Sequence, residues 1–198
     1  MPMSSKASAA RVSPAVDTPP RPRAAALHLI EHPPAARLAS VSVVDSRVEL
    51  SDPAMKVVTD FNSEHPVTVA EDCLIDHALL EMKRANVRSM LVLKGEQISG
   101  LVTSYDIQGE RPMKALLDLG FISHAEIEVR HIMSPWDSVP TLELRTVRDA
   151  QVHQVVEFFR NTPEATHLLI VEHGANGAVV RGLISRTRVE RQIGQGID

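Results

Sequence analysis

Two short phrases in the sequence carry side chains that could bind a ligand. The first, Gly100-Leu101-Val102-Thr103, runs on through Ser104 and Tyr105 to Asp106, and the second is Gly182-Leu183-Ile184-Ser185. Both have the composition of a strand that leads into the N-terminus of a helix. Free backbone N–H groups and a hydroxyl at such a place suit a phosphate oxygen. One turn further on, the Asp106 carboxylate can accept two hydrogen bonds from a ribose diol, so the first phrase indicates a nucleotide site.

Each phrase closes one copy of a repeated order of elements. In the first copy, alternation over 65–69 predicts a strand, an amphipathic helix follows, and strands over 90–93 and 98–102 flank a turn at 94–96. Thr68 with Glu71, or Asp72 alone, is the predicted helix cap. The apolar face of this helix has five residues: Leu74, Ile75, Ala78, Leu79 and Met82.

The second copy repeats this order. Thr146 and Asp149 are predicted to begin a helix, strands over 168–171 and 179–184 follow it, and Gly100 aligns with Gly182. Its apolar face consists of Val152, Val155, Val156 and Phe159. Neither copy, at about 60 residues, buries enough surface to be stable when folded alone, so the two are expected to pack face to face.

The remaining sequence gives the domain organisation. Residues 1–45 hold seven of the thirteen prolines and no periodic apolar pattern, which predicts a disordered N-terminal tail. Within it, His28 and His32 have a chelating spacing on a short predicted helix, but no third ligand is in sight. The predicted units are 46–111 and 126–198, joined by a connecting segment, 112–125, that contains a helix ending at Gly120.

Composition excludes several classes of protein. The net charge of -4 and the six aromatic residues argue against nucleic-acid binding. No apolar stretch reaches the roughly 18 residues of a membrane helix, and the first residues do not resemble a secretory signal, so no membrane contact and a cytoplasmic location are predicted. Cys73 is the only cysteine, which rules out an intramolecular disulfide and a multi-thiolate zinc site.

The repeated phrases resemble a known family, the paired cystathionine beta-synthase (CBS) domains, or Bateman module. The likeness covers roughly residues 53–194 and includes Val129-Arg130-His131-Ile132-Met133 as the "V-x-D-I-M" phrase that opens a unit. It implies an α/β (α+β) fold of two pseudo-symmetric β-α-β-β-α units packed sheet to sheet. It also implies a cleft that binds AMP, ADP, ATP or S-adenosylmethionine, and a homodimer of CBS pairs.

The same resemblance assigns roles to individual residues. Asp106 would hold the ribose hydroxyls, Thr103 a phosphate or ribose oxygen, and Arg88 the phosphates, with Tyr105 beside them. In the second copy, Thr166 stands at the position of Arg88, and His167 follows it. The adenine would lie against Met133, Val139 and Ala165.

Simpler roles stay open for most of these residues. Thr103 and Asp106 could be only a helix cap and a first-turn acid. Arg88 could pair with Glu81 or Glu96 at the surface. His167, like His131, could be a polar residue at a domain seam, and Trp136 could pack at an interface.

The second copy departs from the pattern because Arg188 stands where the ribose-binding aspartate is expected. A guanidinium has five donors and no acceptor, so it cannot hold a ribose diol. We expect one competent nucleotide site per chain and at most a weak second site at Ser185 and Arg188. Arg188 could also contact a phosphate of the nucleotide in the competent site or of a neighbouring site, but the favoured expectation is a solvated helix residue.

The sequence supports three classes of function to different degrees. The first is a non-enzymatic sensor that binds an adenosine nucleotide, needs no cofactor or metal and signals to a protein partner in trans. The second is a nucleotide-independent dimerisation scaffold. The third, an enzyme, lacks support because the sequence has no nucleophile elbow, Walker loop, His-Glu-x-x-His or cysteine constellation.

Overall fold

The computed structural model describes residues 27, 36–38, 47–120, 123–175 and 177–197. It is built from two sheets, each covered by helices on its outer side. The predicted α/β fold with two β-α-β-β-α units is confirmed.

The first sheet has the order β3-β4-β5-β6. Strands β3 (Thr68–Ala70) and β4 (Ser89–Lys94) pair in parallel across helix α1 (Ile75–Arg84), and β5 (Gln97–Thr103) returns antiparallel to β4. Three further elements complete this half: α2 (Ser104–Gln108), α3 (Arg111–Leu119) and β6 (Ser134–Pro135).

The second sheet has the order β1-β9-β8-β7, with β2 also on β9. Strands β7 (Thr141–Glu143) and β8 (His167–Gly174) are parallel, and β9 (Gly177–Ser185) is antiparallel to β8. The other elements of this half are β1 (Ala36–Leu38), β2 (Thr59–Asp60), α4 (Leu144–Asp149), α5 (Val152–Asn161) and α6 (Arg186–Ile193).

The repeat read from the sequence extends to backbone detail. The hairpin β4–β5 shifts register between Val92 and Leu93, and β8–β9 does so between Ile170 and Val171. The Ser104 N–H donates to Arg88 O, as the Arg186 N–H donates to Thr166 O, both at 2.9 Å. The two halves are therefore copies of one unit.

The copies exchange the segments that lead into them. These lead-in segments are residues 52–60 and 127–135. Strand β2 pairs with β9 of the second sheet, and β6 pairs with β5 of the first. The 3₁₀ turn Ala54–Val57 packs in the second core, whereas Ile127 packs in the first. Each of the predicted ranges, 46–111 and 126–198, therefore contributes its lead-in strand to the sheet of the other copy.

The inner faces of the two sheets pack against each other. Their shared cluster joins β4 and β5 of the first sheet to β8 and β9 of the second, with Trp136 packed against its edge. Its buried members are Phe61, Leu91, Leu101, Val139, Leu169, Val171, Ala178, Val180 and Leu183. The predicted sheet-to-sheet arrangement is confirmed.

The predicted cap of the first helix and the predicted start of the second are wrong. Helix α1 has no side-chain cap, and the Ile75 N–H instead donates to Ile127 O of the exchanged segment at 3.0 Å. Thr146 and Asp149 lie in the separate helix α4. That helix ends at Asp149, because the backbone of Ala150 is extended. The following helix, α5, is capped by Gln151.

The N-terminal segment needs one correction. Within the predicted tail 1–45, Ala36–Leu38 form a strand that pairs in parallel with β9. The reason is that β2 covers only Gly182 and Leu183 on that edge, which leaves Ala178–Val180 free to pair. His28 and His32 lie outside the described residues. None of the described helices has both the length and the apolar character to cross a membrane.

Candidate functional site in the cleft between the sheets

A cleft of about 150 Å³ opens where the two sheets meet. One wall comes from β5 and β6, and the other comes from the segment before β7 and the loop between α5 and β8. The lining residues are Leu101, Thr103, Ser134, Ser138, Val139, Pro140, Thr162, Glu164, Ala165, Thr166 and His167. Five residues singled out from the sequence therefore meet here: Thr103, Val139, Ala165, Thr166 and His167.

Thr103 and Asp106 form a reciprocal capping box at the start of α2. The Asp106 Oδ2 atom accepts hydrogen bonds from the Thr103 N–H and hydroxyl, both at 2.8 Å, and the Asp106 N–H donates to Thr103 Oγ1 at 3.1 Å. Arg111 lies 3.1 Å from Asp106 Oδ1. A carboxylate has about four lone-pair positions, so one remains on Oδ1 for a ligand hydroxyl. The residues thus have the simpler capping role and keep limited capacity for a ligand.

His167 is the buried polar group of the cleft. Its side chain is 8% exposed, and its Nδ1 lies 2.9 Å from Thr166 Oγ1. Burial lowers the pKa of His167 from 6.5 to about 4 because the charged imidazolium loses its hydration. The ring is therefore neutral at pH 7 and offers one donor and one acceptor.

Four of the residues assigned from the resemblance lie outside the cleft lining. Arg88 and Tyr105 are exposed, with Arg88 Nη1 3.5 Å from the Tyr105 hydroxyl. Met133 packs against the first core and lies near Ser99, so its side chain does not face the adenine position expected for it. Asp106 borders the cleft only through Thr103.

In the second copy, the residue at the position of Asp106 is Arg188, and its side chain is held by contacts within the protein. Arg188 Nη1 donates to Thr59 Oγ1 at 2.6 Å and lies 3.5 Å from Glu64 Oε1, and the side chain is only 16% exposed. The expected solvated position of Arg188 is therefore wrong, because Thr59 lies in the exchanged segment 52–60 and Glu64 follows it, and the sequence alone places neither beside Arg188. Ser185 precedes α6 without a side-chain capping bond.

Sequence reasoning missed several residues of the cleft. Ser138 ends the short 3₁₀ turn Trp136–Ser138, and Thr162 and Glu164 lie in the loop after α5, so none of the three belongs to a periodic pattern. Ser134 was missed because its pairing with Leu101 of the Gly-Leu-Val-Thr phrase depends on the exchange of the lead-in segments, which the sequence does not reveal. Among the described residues, no three or more His, Cys, Asp and Glu side chains are grouped as metal ligands.

Comparisons with known proteins agree with this geometry. The sequence model of the CBS domain matches residues 58–111. No curated protein matches the sequence significantly.

Solved structures match both halves of the chain. An uncharacterized conserved protein from Pyrococcus horikoshii aligns with a TM-score of 0.51 at 17% identity, over 73% of this chain and 93% of that one. The CBS domain of a bacterial CNNM/CorC family Mg²⁺ transporter aligns with a TM-score of 0.50 at 15% identity, over 76% and 82% of the two chains.

A third structure adds a longer protein. A proposed archaeal homologue of g-AMPK from Methanocaldococcus jannaschii aligns with a TM-score of 0.50 at 24% identity, over 69% of this chain and 48% of that one. With the repeated hairpins and the exchanged lead-in segments, these matches assign the fold. Residues 58–111 match the CBS domain in sequence, and the chain as a whole has the fold of the CBS-domain structure with which it aligns.

Proposed function

We propose that this protein is a regulatory CBS pair that binds an adenosine nucleotide in the cleft between its sheets. The observation that carries the proposal is the convergence of Thr103, the apolar Val139 and Ala165, and the neutral His167 on one cleft. Apolar walls with a few placed donors and acceptors suit a purine base. AMP, ADP, ATP and S-adenosylmethionine are the candidate ligands.

The size of the cleft favours one alternative. Small-molecule pockets usually enclose at least about 300 Å³, whereas this cleft encloses about 150 Å³. A complete nucleotide therefore needs the walls to move apart. If they do not, the CBS pair acts as a nucleotide-independent dimerisation scaffold.

Melting of the purified protein with each of AMP, ADP, ATP, S-adenosylmethionine and NAD separates the two functions. A ligand at 100 times its dissociation constant adds about 2.7 kcal/mol to the free energy of unfolding, which raises Tm by several degrees. Asp106→Ala is expected to remove the ligand-induced shift, whereas Arg188→Ala keeps most of it. Because Asp106→Ala also loses a helix cap, each shift is measured against the same variant without ligand. A panel in which no compound moves Tm supports the scaffold.

A matched pair of variants tests the position of the ligand. Thr166 and Thr187 are both exposed, but only Thr166 lines the cleft. Thr166→Trp is expected to fill the cleft and abolish the ligand-induced rise in Tm, and Thr187→Trp to leave it intact. Equal rises in the two variants would place the ligand elsewhere.

The regulatory role is proposed to be non-enzymatic and exerted on a protein partner in trans. Ligand binding would favour one arrangement of the two units, and a partner would read that arrangement. The CBS fold of the Mg²⁺ transporter and of the proposed g-AMPK homologue supports a regulatory module. Turnover of any panel nucleotide by the purified protein would overturn the non-enzymatic part. The cytoplasmic location stays a prediction from the sequence.

A homodimer of CBS pairs is part of the proposal. Six of the seven large hydrophobic side chains that are exposed in the described chain lie between residues 74 and 119, on the helical side of the first unit. They are Leu74, Leu80, Tyr105, Met113, Leu117 and Leu119. A concentration of exposed apolar side chains on one side of a protein is typical of protein interfaces.

Light scattering during size-exclusion chromatography checks the dimer. Leu117 is 81% exposed on this face, and Leu50, at 42%, lies apart from it. Leu117→Asp is expected to convert the dimer to a monomer, because a carboxylate would be buried without a partner. Leu50→Asp should leave the dimer intact. A monomeric parent protein, or a Leu117→Asp dimer, would contradict this interface.

A further inference from the structure

Arg186, the first residue of α6, directs its guanidinium into backbone carbonyl groups. Its Nη2 donates to the carbonyl oxygens of Phe159 and Thr162, the latter at 3.0 Å, and its Nε donates to Ala165 O at 3.3 Å. Nη1 donates to Ile197 O at 3.2 Å. Among the described residues, no carboxylate lies within 4.0 Å of Arg186. An arginine that is held by carbonyl groups alone has a positioning role.

The guanidinium of Arg186 replaces a backbone donor that a proline removes from the end of α5. The carbonyl of Phe159, in the last turn of α5, would normally accept from the N–H of residue 163. That residue is Pro163, which has no N–H. Arg186 supplies the missing donor and places a cation at the negative end of α5, 5.3 Å from the centre of the Phe159 ring.

The carbonyl groups bound by Arg186 belong to two segments of different kinds. Thr162 and Ala165 lie in the wall of the cleft. Ile197 lies in the segment that turns back after α6 at Gly194, whose φ is 73°, and its side chain is buried in the second core at 3% exposure. Arg186 therefore links the segment after α6 to the cleft wall.

Within the described residues, the first copy has no equivalent of this link. Its residue at the position of Arg186 is Ser104, as the matching backbone bonds to Arg88 O and Thr166 O show. The link through Arg186 is thus a feature of the second copy, and the second copy also supplies residues 162–167 of the cleft wall.

We propose that Arg186 is a positioning residue that couples the docking of residues 194–197 to the shape of the cleft wall 162–167. Release of the segment after α6 removes the Ile197 carbonyl from the guanidinium, which frees Arg186 to move and loosens the wall. Docking of the segment holds the wall in place. Only the ligand experiment below rests on the proposed nucleotide function.

Hydrogen exchange of the full chain without ligand tests the coupling. The Ala165 N–H, which donates to Thr162 O at 3.0 Å, reports on the wall, and the Ile197 N–H, which donates to Glu190 Oε1 at 3.3 Å, reports on the segment. Arg186→Met is expected to accelerate exchange at both by on the order of ten-fold, since several charged hydrogen bonds are lost. The exposed Arg148→Met, on α4, is the control and should change neither.

A double variant shows whether the coupling passes through Arg186. Ile197→Ala, which keeps the guanidinium, is expected to accelerate exchange at Ala165 by roughly three-fold or more in the parent protein and to add nothing in the Arg186→Met background. An Ile197→Ala effect that persists in that background would overturn the proposal, as would an unchanged Ala165 in both single variants. Should Arg186→Met fail to fold, Arg186→Lys keeps the charge with fewer reachable carbonyl groups and is expected to give an intermediate acceleration.

The ligand experiment is separate from the coupling experiment. If AMP binds the parent protein, Ile197→Ala is expected to weaken that binding, and the loss should disappear in the Arg186→Met background. Absence of AMP binding by the parent protein would contradict AMP as the ligand and leave the exchange result standing on its own.

Discussion

Gly100→Ala is expected to destabilise the protein by about 2–3 kcal/mol, at the upper end of the cost of overpacking. A Cβ atom at Gly100 would lie 2.4 Å from the backbone oxygen of Ser134 and 3.0 Å from Met133 Sδ. The oxygen belongs to β6, which pairs with β5 at this residue, so relief requires the exchanged strand to move. Urea denaturation followed by circular dichroism measures the change.

A second glycine provides the control. A Cβ atom at Gly174, in β8, would lie 3.7 Å from the backbone oxygen of Gly177, the nearest atom of the described residues, which is ordinary contact. Gly174→Ala is expected to change the free energy of unfolding by less than about 0.5 kcal/mol. Equal effects of the two substitutions would show that β6 does not approach β5 as closely as described.

Acid is expected to destabilise the protein through His167. Its pKa is about 4 in the folded protein and about 6.5 when unfolded, so the unfolded chain binds the proton first. Above pH 6.5 the neutral His167 makes its full contribution to the free energy of unfolding. As the pH falls to 4, the free energy of unfolding decreases by about 3 kcal/mol. Free energies of unfolding between pH 7 and pH 4 measure this loss.

Carboxylates also titrate in this range, so the comparison is between variants. His167→Asn, which has no titrating group, is expected to lose about 3 kcal/mol less than the parent protein between pH 7 and pH 4. His65→Asn replaces an exposed histidine and should follow the parent curve. A His167→Asn curve parallel to the parent would show that the imidazole is hydrated in the fold.

The sequence was most informative where a pattern is local. Helix periodicity and apolar runs predicted both hairpins and the connecting helix, observed as Arg111–Leu119 with Gly120 as its left-handed end. The Thr103 and Asp106 pair, three residues apart, is a capping box that the spacing alone describes. Such features depend on neighbours within one or two turns.

What the sequence could not supply depends on distant pairing. Arg188 is partly buried because it contacts Thr59, which lies 129 residues away in the chain. Met133 has the expected place in its phrase, but the packing of the first core sets the direction of its side chain. The need of Phe159 for a donor is visible from Pro163, yet the identity of that donor follows only from the fold.

The exchanged lead-in segments make the two copies a single folding unit. Neither sheet is complete until a strand of the other copy has arrived, since β2 completes the second sheet and β6 the first. The halves are therefore interlocked: a disturbance that loosens one removes an edge strand and core residues from the other. A structural change on one side of the cleft therefore alters the packing of both halves. Such coupling is what a concerted conformational change of two domains requires.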